Sequence, residues 1–219
     1  MTTMPNYFIC LDTETANDIE CPFVYDIGGA VITEDGAVVT SFSFAVEEIF
    51  NDTDLMTSAY CANKLPKYYE DIADGKREIR TLYEIRSYIA RLVKRYRIKY
   101  AVAHNARFDN CSLNTTLRYR STSVMRFFLP YGVKWVDTLK MARLVFKEDE
   151  NYRAFCVANE YVTKRGQNRY TAEILFRYLS ADNSFIEEHQ GLADALIEKD
   201  ILVHCLRTLS IEDGLLWSK

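Results

Sequence analysis

Short apolar runs with strand character open the chain. Residues 7–12 form one that ends in a carboxylate. Residues 23–33 (FVYDIGGAVIT) are rich in β-formers, and residues 37–46 alternate apolar with polar. Glu34-Asp35-Gly36 lies between the last two, and an Asp-Gly pair flanked by such runs makes an antiparallel hairpin. These runs predict a three-stranded meander. A stretch from 47 to 78, with Tyr60, Pro66, Tyr68 and Tyr69, shows no clear period and reads as loop-rich. The period then becomes helical: Leu82, Ile85, Ile89, Leu92, Val93 and Tyr96 share one face, with Arg80, Glu84, Arg91, Lys94 and Arg95 mostly opposite. Residues 98–103 read as a buried strand, 108–120 as a helix and 133–136 as another strand. Asp137 is placed to cap a helix over 138–146. Segments 154–163, 170–179 and 192–209 are helical in pattern. Three strands followed by alternating helices and strands predict a mixed α/β sheet with helices on its faces. A length of 219 residues suits a single domain spanning 1–219.

Composition narrows the class. No run of 18 apolar residues exists, which argues against a membrane helix, and the N-terminus lacks the pattern of a secretory leader. The reducing cytoplasm is therefore the expected compartment, and the six cysteines are expected to be buried thiols. None forms a CxxC pair or stands at ligand spacing from a histidine, which argues against a cysteine-built zinc site. Residues 76–126 hold thirteen Lys and Arg against three acids, while the remainder holds fourteen against twenty-eight. Such asymmetry suits either a solvated helix face or a surface for an anionic partner.

Three segments concentrate chemistry. In Leu11-Asp12-Thr13-Glu14-Thr15, Asp12 and Glu14 are two apart on a strand and project from one face. Two adjacent carboxylates repel, and a divalent cation that prefers oxygen ligands removes the conflict. In His104-Asn105-Ala106-Arg107-Phe108-Asp109, a strand passes into a helix, where backbone N–H groups suit phosphate and Asp109 is available to a metal. In His189-Gln190-Gly191-Leu192-Ala193-Asp194, the histidine and Asp194 converge if His189 lies in the loop before the helix and Gly191 allows the bend. Taken singly, these segments also read as a strand-end turn, a helix cap with Phe108 in the core and His104 packed, and a surface histidine.

In order, LDTET, HNARFD and HQGLADA resemble the three motifs of the DnaQ-like 3′–5′ exonucleases, the subclass with four acids and a histidine (DEDDh). Trp135-Val136-Asp137-Thr138-Leu139 resembles that family's Asp-Thr helix start. The resemblance implies a ribonuclease H-like fold: a mixed five-stranded sheet, its first three strands antiparallel, flanked by helices. It implies that Asp12, Glu14, Asp109 and Asp194 bind two Mg²⁺ ions, for which Mn²⁺ substitutes. Asp12 would bridge both ions, Glu14 and Asp194 would hold the one that binds the attacking water, and Asp109 would help hold the second through water. His189 would be the general base. The backbone at Thr13 and Thr15, with Asn105 and Phe108, would contact the terminal nucleotides.

The implied activity is hydrolysis of single-stranded DNA or RNA from the 3′ end, releasing nucleoside 5′-monophosphates. Basic residues of 76–126 would hold upstream phosphates. A polymerase or other replication or repair partner would be a separate chain. The sequence departs from the family after DTET, where Thr-Gly is common and Thr15-Ala16-Asn17 stands here. Glu187 and Glu188 flank the histidine and read as solvated, or as orienting it. Two other functions stay open at this point: an inactive nucleic-acid-binding module of the same fold, and a ribonuclease H-like endonuclease.

Overall fold

The computed structural model describes residues 6–59, 61–121 and 127–217; Tyr60 and Arg126 fall outside them. The meander is present as β1 (Tyr7–Ala16), β2 (Phe23–Thr33) and β3 (Val38–Val46). It is followed by α1 (Glu47–Phe50), α2 (Thr53–Met56), α3 (Leu65–Ala73), β4 (Glu78–Arg80), α4 (Leu82–Tyr96), β5 (Tyr100–Ala103) and α5 (Ala106–Arg120). The chain continues through β6 (Lys134–Asp137), α6 (Thr138–Phe146), α7 (Glu150–Ala158), α8 (Ala172–Ser180) and α9 (Gly191–Cys205). The sheet order is β4-β3-β2-β1-β5-β6. β1 to β3 are antiparallel, whereas β5 and β6 run parallel to β1 and β4 runs parallel to β3.

The sheet thus has six strands where five were expected. The addition is β4, an edge strand of three residues, too short to show alternation. Among its described residues, the tract read as loop-rich holds three short α-helices and one 3-10 turn, Ala62–Lys64. Pro66 stands in the first turn of α3, where its missing N–H removes no hydrogen bond. The helix expected over 154–163 begins earlier, because the Asp149 carboxylate accepts from the N–H groups of Asn151 (2.9 Å) and Tyr152 (3.1 Å). It ends before Glu160, which takes the left-handed φ of 60°. α4 opens on a reciprocal pair, the Thr81 hydroxyl accepting from Glu84 N–H and the Glu84 carboxylate from Thr81 N–H. Cys10, Cys61, Cys156 and Cys205 are buried as expected, but Cys21, between β1 and β2, and Cys111, on α5, are exposed. No described helix is long and apolar enough to cross a membrane.

Alternation along β1 sorts its side chains between two cores. Ile9 and Leu11 join the cluster that α4 and α5 cover; Phe8 and Cys10 join the one that α6 to α9 cover. Continuing that parity, Asp12 and Glu14 face α9. On the same face of β2, opposite Glu14, Asp12 and Cys10, stand Asp26, Gly28 and Ala30. α9 comes closest at Gly28. A Cβ there would lie 1.8 Å from the backbone nitrogen of Leu192, and one on Gly191 would lie 2.5 Å from the Gly28 nitrogen. Backbone meets backbone, so neither position tolerates a side chain. Gly28→Ala is expected to cost about 3 kcal/mol or more, as overpacking against main chain does. Urea unfolding measures it, and a loss under about 0.5 kcal/mol, the size of a surface substitution, would contradict the close approach.

Candidate active site

β1 carries Asp12 and Glu14 to the α9 side and breaks register with β2 between Glu14 and Thr15. Such irregularities re-aim side chains beside functional sites. Asp194 meets them from the first turn of α9. Its Oδ2 accepts from the Gln190 N–H at 3.0 Å, which fixes the carboxylate against the helix N-terminus, while its buried Oδ1 has no partner among the described residues. Oxygens of Asp12, Glu14 and Asp194 all lie within 4.8 Å of one another. Asp109 approaches from α5 on the other side of β1, and its Oδ1 accepts from the Thr13 hydroxyl at 2.8 Å. The Thr13 side chain is therefore engaged inside the protein. Thr15 is half-buried just past the irregularity, and Asn17 beyond it adopts φ 70°, a conformation that Asn accepts at low cost.

His189 precedes α9, as expected, but the bend is its own. Its φ is 54°, whereas Gly191 lies outside the left-handed region and is small in order to touch Gly28. A His189 ring nitrogen, a Glu14 oxygen and the Cys61 sulfur lie within 4.8 Å of one another. The loop is held from below by Asp26. That carboxylate accepts from Gly191 N–H (3.0 Å) and the Tyr68 hydroxyl (2.8 Å), and it pairs with Arg77 in a buried salt bridge. Arg77 also donates to Gln190 Oε1 at 3.3 Å and stacks on the Tyr68 ring. Two of its members, Tyr68 and Arg77, come from the tract read as loop-rich.

The strand-to-helix segment is arranged differently from the acids. His104 is a tie: Nδ1 lies 2.9 Å from the Thr138 hydroxyl and Nε2 2.7 Å from the Tyr170 carbonyl. Asp137 caps α6 through Leu139 N–H and accepts from Asn105 N–H as well, both at 2.9 Å. Asn105 is exposed in the left-handed conformation. Phe108 is half-buried and belongs to neither apolar cluster of the described residues.

A cleft of about 920 Å³ joins these parts. Asp12, Asn105, Glu187 and Glu198 line it, together with Arg143, Lys147, Arg153 and Arg169. Among the described residues, no Lys or Arg from 76–121 lines it. The cations beside the acids are thus other than those the charge asymmetry suggested. Arg77 is buried in the Asp26 pair, and Arg86 bonds the Phe128 carbonyl. Glu187 is half-buried while Glu188 is solvated. Glu198 was not singled out in the sequence, although its spacing from Asp194 places both on one face of α9.

Burial dominates the electrostatics. It raises Glu14 to about 8, with Asp26 and Glu187 adding repulsion and Arg77 opposing. It raises Asp194 to about 8, with Glu187 and Glu14 adding and the Gln190 N–H opposing. Burial raises Asp109 to about 7 against the Thr13 hydrogen bond, and Glu187 to about 7 with help from Glu173. Asp12, surrounded by Glu198, Asp109, Asp194 and Glu14, is raised well above the ordinary carboxylate range, first by burial and then by those charges. His189 is lowered by burial and by Lys64. The donor set fits a hard divalent cation: all oxygen, strongly repelling, with one orphaned buried oxygen, and with a spread matching the about 4.2–5 Å between opposite ligands at metal–oxygen bonds of about 2.1–2.5 Å.

No family model matches the chain, and no curated protein matches it in sequence. Solved structures match it in fold. The crystal structure of cell-death related nuclease 4 superposes with a TM-score of 0.61 at 11% identity, over 93% of this chain and 64% of its own. E. coli Exonuclease I in complex with a 5cy-dT13 oligonucleotide superposes with a TM-score of 0.53 at 16% identity, over 93% of this chain and 41% of its own. The chain therefore spans under two thirds of either protein. Its fold, a mixed six-stranded sheet flanked by helices, is similar to the fold of these two nucleases.

The raised carboxyls carry a sign. A group whose folded pKa exceeds its unfolded value contributes stability below the unfolded pKa and loses it as pH rises through the folded one. Without metal, stability is expected to fall between about pH 4 and pH 8, the span from ordinary carboxylates to the values of Glu14 and Asp194. Mg²⁺ or Mn²⁺ is expected to restore more at pH 8 than at pH 6. Thermal melts in EDTA and in metal across that range check it; a metal effect independent of pH would contradict it.

Proposed function

We propose that this protein is a divalent-metal-dependent 3′–5′ exonuclease acting on single-stranded DNA or RNA and releasing nucleoside 5′-monophosphates. The observation that carries the reading is the convergence of Asp12, Glu14 and Asp194 within 4.8 Å, with Asp109 behind and a His189 ring nitrogen within the same distance of Glu14. Divalent cations bound there would stabilise the charge that develops on the phosphate and lower the pKa of the attacking water. Asp12, Glu14 and Asp194 would hold them, with Asp109 supporting the second.

His189 takes the proton of the water. Burial and Lys64 lower its pKa, so the imidazole is neutral at physiological pH and free to accept. Its place in a loop clamped through Asp26, Arg77 and Tyr68 holds the ring against Glu14. Asn105 and Phe108 stand at the opening of α5, where an exposed amide and a half-buried ring receive the terminal sugar and base. Arg143, Lys147, Arg153 and Arg169 give the cleft its attraction for the strand's phosphates. The cleft has the size of a small-ligand pocket, which favours an unpaired end over a duplex.

The test uses 5′-labelled single-stranded DNA and RNA of matched sequence with Mg²⁺, Mn²⁺ or EDTA. The expected result is a ladder shortening from the 3′ end and absent in EDTA. His189→Ala is expected to lose about 10²–10⁴-fold in kcat, the range of general-base removal, and Asp12→Ala at least as much. Internal cuts, or turnover unchanged in both variants, would sink the proposal. Arg143→Ala with Arg169→Ala is expected to raise KM, leave kcat near wild type and flatten the log K against log[salt] slope by about 1 per cation removed. An unchanged slope would remove those residues from the strand's path.

A further inference from the structure

Glu198 lies one turn beyond Asp194 on α9, on the same face. It is 2% exposed, and its Oε2 has no hydrogen-bond partner among the described residues. It lines the cleft that Asp12 lines. Its neighbours on the buried side of the helix are Ala195, Ile197, Ile201 and Leu202, where an apolar residue would pack at lower cost than a half-satisfied carboxyl.

Two buried carboxyls coexist when one is protonated, when a buried water joins them, or when they hold a cation between them. Oε2 shares no hydrogen bond with another carboxyl among the described residues. The proposed catalytic site leaves an opening for the cation. Glu14 and Asp194 form the close group with Asp12, to which Glu198 does not belong, and Asp109 commits one oxygen to Thr13. A second cation on the Glu198 side of Asp12 would otherwise have only Asp12 and the remaining oxygen of Asp109 as carboxylate ligands.

We propose that Glu198 is a direct ligand of the second divalent cation, opposite Asp12, making this a site of five carboxylates rather than four. The inference rests on the metal-dependent reading above. The backbone N–H of His104 favours the charged form of Glu198.

The test is Mn²⁺ binding to the full chain by calorimetry and by electron paramagnetic resonance, for wild type and Glu198→Gln, with melting in EDTA as the check on folding. Wild type is expected to bind two Mn²⁺. Glu198→Gln is expected to keep one site and weaken the other by about tenfold or more, with a metal-free Tm at or above wild type because a repelling charge is gone. Two sites of unchanged affinity in Glu198→Gln would overturn the inference and leave the nuclease reading standing. So would loss of both sites with a lowered metal-free Tm, the mark of a structural role. No Mn²⁺ binding by wild type would overturn both. Should the Gln variant fail to fold, Glu198→Asp, which keeps the charge but withdraws it, is expected to weaken the second site alone; wild-type binding in it would overturn the assignment.

Discussion

The spacing between α9 and the sheet is set where Gly28 meets Gly191, and the acidic site exists because that spacing is so small. A side chain at either position would push the helix off β1 and β2. With main chain against main chain, the first turn of α9 brings Asp194 onto the carboxylates of β1. The contact is locked beside itself: Asp26, two residues from Gly28 on the same face, accepts the Gly191 N–H and is neutralised by Arg77. A buried ion pair of this kind contributes little net stability but costs much if one partner is lost. Its use here is positional, since it fixes where His189 and α9 begin.

Around that contact the protein accumulates a conflict that its core does not need. Asp12, Glu14, Asp109, Asp194 and Glu198 are all desolvated and all pushed upward in pKa, and Asp26 with its arginine adds to the field. Apolar clusters on both faces of the sheet supply the stability that tolerates it. Concentrated local strain on an otherwise consistent fold is where function is expected. Arginines and a lysine along the cleft supply positive charge from one direction, and divalent cations held by the carboxylates would supply it from another. A phosphodiester between them would meet both.

The legible parts were those whose signal is local. The placement of Asp12 and Glu14 on one face follows from the period of a strand, and the Asp137 cap from its position before an apolar helix. That His189 precedes α9 was legible in the same way, and it and Asp194 each come close to Glu14. What was missed depends on distant partners. Asp26 was visible as an acid inside FVYDIGGAVIT, but Arg77 is 51 residues away. Glu198 had a signal in its spacing from Asp194, masked by the ordinary look of a charged residue in a helix. The cleft cations come from α6, its C-terminus, α7 and the segment before α8, so no run of charge announced them. The bend went to His189 rather than Gly191 because close packing at Gly28 claimed the glycine.

The close backbone contact thus builds a carboxylate site that would hold divalent cations against Asp12. Anomalous diffraction from crystals of the Mn²⁺-loaded protein tests it most directly. Two manganese peaks are expected beside Asp12, one also touching Glu14 and Asp194 and the other touching Glu198. Well-ordered crystals with no manganese at Asp12, or with manganese bound only elsewhere on the molecule, would contradict it.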